Sequence, residues 1–271
     1  KCDNEITPTI LHANPLRADA ESVFAELEAA GAVLTPHPWL PDCRLAQGTG
    51  NLERLDAFRD GRVYVQDPAA HLAALASGVE PGMQVLDACA APGGKSFAAA
   101  MQMRNEGSIL SCDIHPHKLT LIEKGAERLG ITMLQTRLQN AAEHDPALDG
   151  QFDAVIADVP CSGLGVIRKK PDIRYKPLEP LARLPELQRA ILENVCRYVK
   201  PGGTLVYSTC TVLRRENEAV AEAFLKEHPD FSPETIPAPT GFGLENDGML
   251  TLLPFKHDTD GFFICRMRKH S

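Results

Sequence analysis

The sequence predicts an α/β fold: a mostly parallel sheet covered by helices on both faces, preceded by a small α/β module. Three observations carry this expectation. From Val63 onward, short apolar runs alternate with longer amphipathic stretches, the order that builds right-handed βαβ units. One apolar run, residues 84–89, breaks into the Gly-rich turn Ala90-Ala91-Pro92-Gly93-Gly94 that opens a helix. Two other runs end just before Cys161 and Cys210, which puts thiols past the carboxyl ends of strands, where open α/β sheets build their sites.

Taken in order, residues 9–13 form a short extended run, residues 20–30 are amphipathic, and Pro36, Pro38 and Pro41 mark turns. They define a small module over residues 1–62, with a larger domain over residues 63–271. In that domain strands are expected at 84–89, 108–113, 133–138, 152–157 and 203–208, and helices near 94–103, 117–129, 185–199 and 216–228. Further runs at 249–253 and 262–267 close the chain, and no internal repeat or low-complexity segment interrupts it.

With 271 residues, 44% hydrophobic and 24% charged, the chain can bury a full core. No apolar run approaches the roughly 18 residues that a membrane span needs. The opening Lys1-Cys2-Asp3-Asn4-Glu5 is unlike a secretory signal, so a cytoplasmic protein is expected. The chain starts on Lys rather than Met, and a further N-terminal portion is expected ahead of it. Eight cysteines form no Cys-x-x-Cys pair, which fits a reducing compartment and neither a disulfide scaffold nor structural zinc. The net charge of −8 argues at face value against a nucleic-acid partner. However, residues 1–80 hold 6 Lys/Arg against 12 Asp/Glu, and residues 81–271 hold 22 against 24, so most of the excess acid lies at the front.

The Gly-rich turn is not a Walker loop, because the first required Gly falls on Cys89, and no Gly-x-Gly-x-x-Gly is present. Asp113 ends the next strand about twenty residues on, where nucleotide-binding α/β folds place an acid for the ribose hydroxyls. Asp87, Gly93 and Asp113 together favour an adenosine-type cofactor over a tight turn without a ligand. Free Cys is more often core filling than chemistry. Pro160 cannot continue a central ladder, so the chain leaves the sheet at Asp158-Val159-Pro160 and presents Cys161 in a loop. Cys89, Cys112, Cys196 and Cys265 lie inside apolar or helical runs and read as packing residues.

The motifs Asp-Ala-Cys-Ala-Ala-Pro-Gly-Gly-Lys (87–95), Ala-Asp-Val-Pro-Cys-Ser-Gly (157–163), Gly-Val-Ile-Arg-Lys-Lys-Pro-Asp-Ile-Arg (165–174) and Tyr-Ser-Thr-Cys-Thr-Val (207–212) resemble the RNA cytosine-C5 methyltransferases, most closely the RsmB/Sun (Fmu) type. Residues 64–70 and 260–263 also look like signatures of that family, so the resemblance runs over residues 8–269. It implies a Rossmann-like methyltransferase domain that uses S-adenosyl-L-methionine. By resemblance, Cys89, Ala90, Ala91, Pro92, Gly93, Gly94 and Lys95 wrap the cofactor and Asp113 holds its ribose. Asn140 stands where the family usually carries Asp near the adenine, and Asp158 lies between methyl donor and cytosine.

Carbon 5 of cytosine is too weak a nucleophile to accept a methyl group unaided, and a thiolate added at C6 makes it enamine-like. The resemblance makes Cys210 that nucleophile and Cys161 the group implicated in releasing the product. Asp158, in its protonated form, would stabilise the adduct at N3, and Lys95 could pair with it. Arg168, Lys169, Lys170 and Arg174 are expected to contact RNA phosphates, with Tyr175 available for stacking and Arg266, Arg268 and Lys269 extending the surface. A charge run is more often a solvated face, but this one directly follows the Cys161 loop. His12 replaces an Arg that many relatives carry. The resemblance also implies a helical NusB-like RNA-binding domain ahead of this chain. The expected partner is RNA, small-subunit (16S) rRNA first and tRNA or another RNA next, for a monomer without DNA or membrane partners. The rival class is a catalytically silent RNA-binding or assembly module, and a nicotinamide oxidoreductase is disfavoured by the missing Gly fingerprint.

Overall fold

The computed structural model describes residues 8–175, 181–237, 239, 242–243 and 245–271, so Cys2 and Lys176 lie outside the described residues. Strand β1 (Thr9–Ala13) is followed by helix α1 (Ala20–Ala29), whose N-terminus is capped by Asp19 accepting from the Ser22 N–H at 3.0 Å. Val23, Phe24 and Leu27 of α1 pack on Leu11 and Ala13. Strands β2 (Val33–Pro36), β3 (Cys43–Gln47) and β4 (Val63–Val65) complete an antiparallel sheet in the order β2-β3-β1-β4, with the single-turn helix α2 (Asp56–Arg59) before β4. Because β4 pairs with β1, the strand just after the expected boundary at residue 63 closes the small sheet.

Helix α3 (Pro68–Leu75) starts from Asp67, whose side chain accepts from the Ala69 N–H. The alternation does not reveal it, because it is apolar nearly all round, with Ala69, Leu72, Ala73 and Ala74 buried. Leu72 and Ala73 share a cluster with Ile10, Val206, Phe262 and Ile264, which seats the module against the large sheet.

The large sheet contains β5 (Gln84–Asp87), β6 (Ser108–Asp113), β7 (Leu134–Leu138), β8 (Phe152–Asp158), β9 (Val199–Thr209), β10 (Phe231–Pro233), β11 (Met249–Leu252) and β12 (Phe262–Lys269). Its order is β10-β12-β9-β8-β5-β6-β7, with β11 beside β12. Strands β5 to β9 run parallel, whereas β12 is antiparallel to β9. The chain builds outward from β5 to β7 and then returns to β8 on the other side, which puts the topological switch between β5 and β8.

Successive residues of β8 divide between two cores: Ala154 and Ile156 on one face, Val155 and Ala157 on the other. The first face is covered by α4 (Gly94–Gln102) through Phe97 and Ala100 and by α5 (Pro116–Leu129) through Ile122 and Leu129. The second is covered by α6 (Leu184–Val195) through Ile191 and Val195 and by α7 (Glu218–Glu227) through Val220 and Phe224. Each such side chain contributes about 1.5–3 kcal/mol on full burial. The expected helix at 185–199 stops at Val195 in a 3-10 turn, and β9 begins four residues before the expected strand. Among the described residues, no helix is long and apolar enough to cross a membrane.

Candidate active site

Strand β5 delivers Asp87 and then gives way to a turn. Gly93 has φ of 109°, where a side chain is strained, and a Cβ there would lie 2.4 Å from the Phe97 ring. The turn is closed by Ala90 N–H donating to the Cys112 carbonyl (2.8 Å) and Gly93 N–H to the Ala90 carbonyl (2.7 Å). Asp87 is wholly buried, and its Oδ2 accepts from Ser96 Oγ at 2.7 Å. Burial pushes its carboxyl up to about 6, against the Ser96 hydroxyl, which favours the carboxylate.

Beside this turn a cavity of about 240 Å³ is lined by Ala88, Cys89, Asp113, Asn140, Pro160 and Ile191 among others. Asp113, only 7% exposed, accepts from the His115 N–H at 2.9 Å and has Lys118 Nζ 3.8 Å away. Asn140 reaches the cavity wall, but its amide is engaged within its own turn: Oδ1 accepts from Ala142 N–H (3.1 Å), and Nδ2 donates to Glu143 (2.8 Å). Cys89, lining the cavity, has its thiol pushed up by burial.

The last residue of β8, Asp158, is in register with Ser208 of β9, and the two strands carry the second half of the site. Asp158 Oδ1 accepts from Ser208 Oγ at 2.8 Å, and Oδ2 from Lys95 Nζ at 2.6 Å. Burial of Lys95 opposes its charge, but Asp158 and Asp87 outweigh that and raise its pKa. Its ammonium also lies 5.2 Å from the Phe262 ring centroid.

The loop after β8 and the end of β9 bring Cys161 Sγ to 3.1 Å from Cys210 Sγ, and the Cys210 N–H also donates to Cys161 Sγ at 3.3 Å. The shared hydrogen bond, ahead of burial, raises the Cys161 thiol well above the ordinary range. The same bond lowers Cys210, outweighing burial, with Lys95 acting in the same direction. Either sulfur can donate in this pair, and the asymmetry favours the thiolate more at Cys210 than at Cys161.

Three residues outside the sequence motifs, Gln188, Glu216 and Asn217, help to hold this pair. Glu216, with no exposed surface, accepts from the Ser162 N–H at 2.8 Å and from Gln188 Nε2 at 3.2 Å, while Gln188 also donates to the Pro160 carbonyl. Thr211 accepts from Ser162 Oγ, and Asn217 accepts from Thr209 Oγ1 and donates to the Thr211 carbonyl. Gly165 N–H donates to the Cys210 carbonyl at 3.0 Å, and Gly261 N–H to the Gly165 carbonyl at 2.9 Å. A Cβ on Gly165 would fall 1.8 Å from the Gly261 oxygen, so the chains meet there backbone to backbone.

The basic segment differs from the expected solvent-facing strip. The Arg168 side chain is 6% exposed and paired with Asp258, and Lys169 donates to Asp67 and Asp260, because both fold back onto carboxylates of neighbouring loops. Lys169 nevertheless remains exposed, as do Lys170, Arg174 and Tyr175. Arg266 and Arg268 pair with Glu234, and Lys269 bonds the Cys196 and Val199 carbonyls. Since β12 runs antiparallel to β9, those three lie toward the opposite edge of the sheet and do not extend a surface around the thiols. His12 is buried, donating through Nε2 to the Gln66 carbonyl at 3.1 Å, so it offers no exposed cation.

A family model for the 16S rRNA methyltransferase RsmB/F matches residues 74–268. The chain belongs to the RsmB/F family. It is 42% identical over 267 residues to the probable ribosomal RNA small subunit methyltransferase B of Bacillus subtilis, covering 96% of this chain and 59% of the relative. The crystal structure of PH0851 superposes with a TM-score of 0.91 at 31% identity, covering 99% of this chain and 61% of that one. A methyltransferase homologue from Pyrococcus horikoshii matches at 0.84 and 28% identity, covering 99% and 88%. The chain spans about three fifths of the length of the curated relatives it matches.

The residues present fit an adenosine-type methyl donor. Ala88 and Cys89 at the start of the turn, Asp113 at the end of β6 and the Asn140 turn line one cavity past the carboxyl ends of the strands, with a carboxylate at its wall for ribose hydroxyls. Hydrogen bonds to a charged acceptor contribute about 1.5–3 kcal/mol, so Asp113→Ala is expected to weaken S-adenosyl-L-methionine binding roughly tenfold or more. Calorimetric titration checks this, and unchanged affinity in a folded variant would remove Asp113 from the cofactor site.

Proposed function

We propose that this chain is the catalytic part of an enzyme that methylates C5 of a cytosine in RNA, first of all small-subunit (16S) rRNA, through a cysteine adduct at C6. The observation that carries the reading is the thiol pair, with Cys161 Sγ 3.1 Å from Cys210 Sγ and the Cys210 thiol lowered by that contact. S-adenosyl-L-methionine, held by residues 89–95 and Asp113, supplies an electrophilic methyl group. Cys210 adds to C6, and electron density moves onto the ring toward N3. The Lys95–Asp158 pair lies beside the thiols to neutralise that charge with a proton. After transfer the C5 proton leaves, the C5–C6 double bond re-forms, and the Cys210 thiolate is expelled. Cys161 acts in that release, as the base or by orienting a water.

Lys170, Arg174 and Tyr175 are the members of the basic segment that face RNA in this reading. The module at residues 1–62 and the domain at 63–271 act together, and a helical RNA-binding domain resembling NusB precedes them in the full-length protein. The compartment is the cytoplasm, where ribosomal RNA is made. Bisulfite sequencing of ribosomal and transfer RNA from a deletion strain, with the full-length gene restored as control, tests the substrate. One 16S cytosine is expected to lose and regain protection. Protection lost only in tRNA would move the substrate there, and no change in any RNA would favour a silent assembly module.

A further inference from the structure

We propose that Lys169 is a positioning residue for the nucleophile Cys210 and not a phosphate contact. Its side chain is 33% exposed, and its ammonium is held between two carboxylates, Asp67 Oδ2 at 2.5 Å and Asp260 Oδ2 at 2.8 Å, whose side chains are 9% and 7% exposed. The three residues come from three segments: Asp67 caps helix α3, Lys169 follows the Cys161 loop, and Asp260 precedes β12. The Asp260 N–H also faces the Asp67 carboxylate, at 3.3 Å from both oxygens.

From this hub a short backbone path leads to the thiols. Asp260 is followed by Gly261, whose N–H bonds the Gly165 carbonyl, and Gly165 N–H bonds the carbonyl of Cys210. The next residue, Phe262, places its ring under the Lys95 ammonium. A cation shared by two buried carboxylates leaves an uncompensated charge if it is removed; the carboxylates then bind a proton between them or move apart, and either way the lysine no longer ties its own segment to theirs. The contact most exposed to such loosening is the Cys161–Cys210 hydrogen bond, because it depends on the relative placement of two loops.

This inference rests on Cys210 being the reacting thiol, and its test is therefore read first on the free protein. The full-length chain carrying Lys169→Met, Lys169→Arg or Asp260→Asn is alkylated with iodoacetamide across a pH series, and Cys210 is followed by peptide mass. In Lys169→Met and Asp260→Asn the alkylation midpoint of Cys210 is expected to move up by about one pH unit, with partial restoration in Lys169→Arg. With RNA and S-adenosyl-L-methionine, kcat should fall about tenfold while KM for RNA stays within about twofold. The salt slope of RNA affinity should not change. A slope reduced by about one charge with an unmoved alkylation midpoint would return Lys169 to phosphate binding and overturn the proposal. If Lys169→Met does not fold, the isosteric Asp260→Asn decides by the same midpoint. Inactivity of the wild type on every RNA would instead overturn the functional reading and leave the alkylation result standing.

Discussion

Cys161→Ala is expected to leave the protein covalently attached to its RNA, whereas Cys210→Ala leaves no attachment and no methylation. The two sulfurs are only 3.1 Å apart, yet their environments are unequal: the hydrogen bond between them lowers Cys210 and raises Cys161. Removing Cys210 deletes the proposed nucleophile, and methylation should fall to below about a thousandth. Removing Cys161 takes away one stabilising donor, so attack slows, but elimination slows more and the adduct accumulates. A denaturing gel with target RNA and S-adenosyl-L-methionine reads this as a retarded band for Cys161→Ala alone. The reverse pattern would exchange the two roles, and methylation persisting in Cys210→Ala would sink the covalent route.

Lys95→Met should be both inactive and less stable. The Lys95 side chain is 11% exposed and Asp158 28%, and the ammonium of their 2.6 Å ion pair lies 5.2 Å from the Phe262 ring centroid. Breaking a fully buried pair costs about 3–5 kcal/mol, and the partial exposure of Asp158 brings the expectation to about 2 kcal/mol, a fall in Tm of about 5 °C. Adding Asp158→Asn removes the stranded carboxylate, so the double variant should regain most of the stability and none of the activity. Thermal melts and methyl transfer measured on the same samples separate the two effects. A single Lys95→Met variant as stable and active as the wild type would mean that the pair is a surface contact only.

The parallel sheet was legible because burial on both faces leaves apolar runs that turn signals bound, as at Ala154, Val155, Ile156 and Ala157. The thiols were legible because Pro160 must leave the ladder and Cys210 ends a strand. What stayed hidden was held by contacts between distant segments. Glu216, in the charged run Arg214-Arg215-Glu216-Asn217, reads as a solvated helix start, and only the approach of the Ser162 and Gln188 donors makes its burial tolerable. Lys169 in a run of cations reads as a phosphate contact until Asp67, about a hundred residues earlier, is seen beneath it. Local spacing carries no information about such partners. The same holds for β4, whose three residues show their allegiance to the small sheet only through pairing with β1.

The contact between Gly165 and Gly261 sets where this chain can change. A side chain at either position would strike opposing main chain, so these two positions under the thiols hold glycine and leave substitution to their surroundings. Chemistry and partner choice are thereby separated in sequence space. Any drift from one RNA to another must be written at the rim, in exposed positions such as Lys170, Arg174 and Tyr175, and in whatever the rest of the protein presents beside them. A lineage built on this floor can exchange substrates repeatedly while the reaction beneath them stays the same.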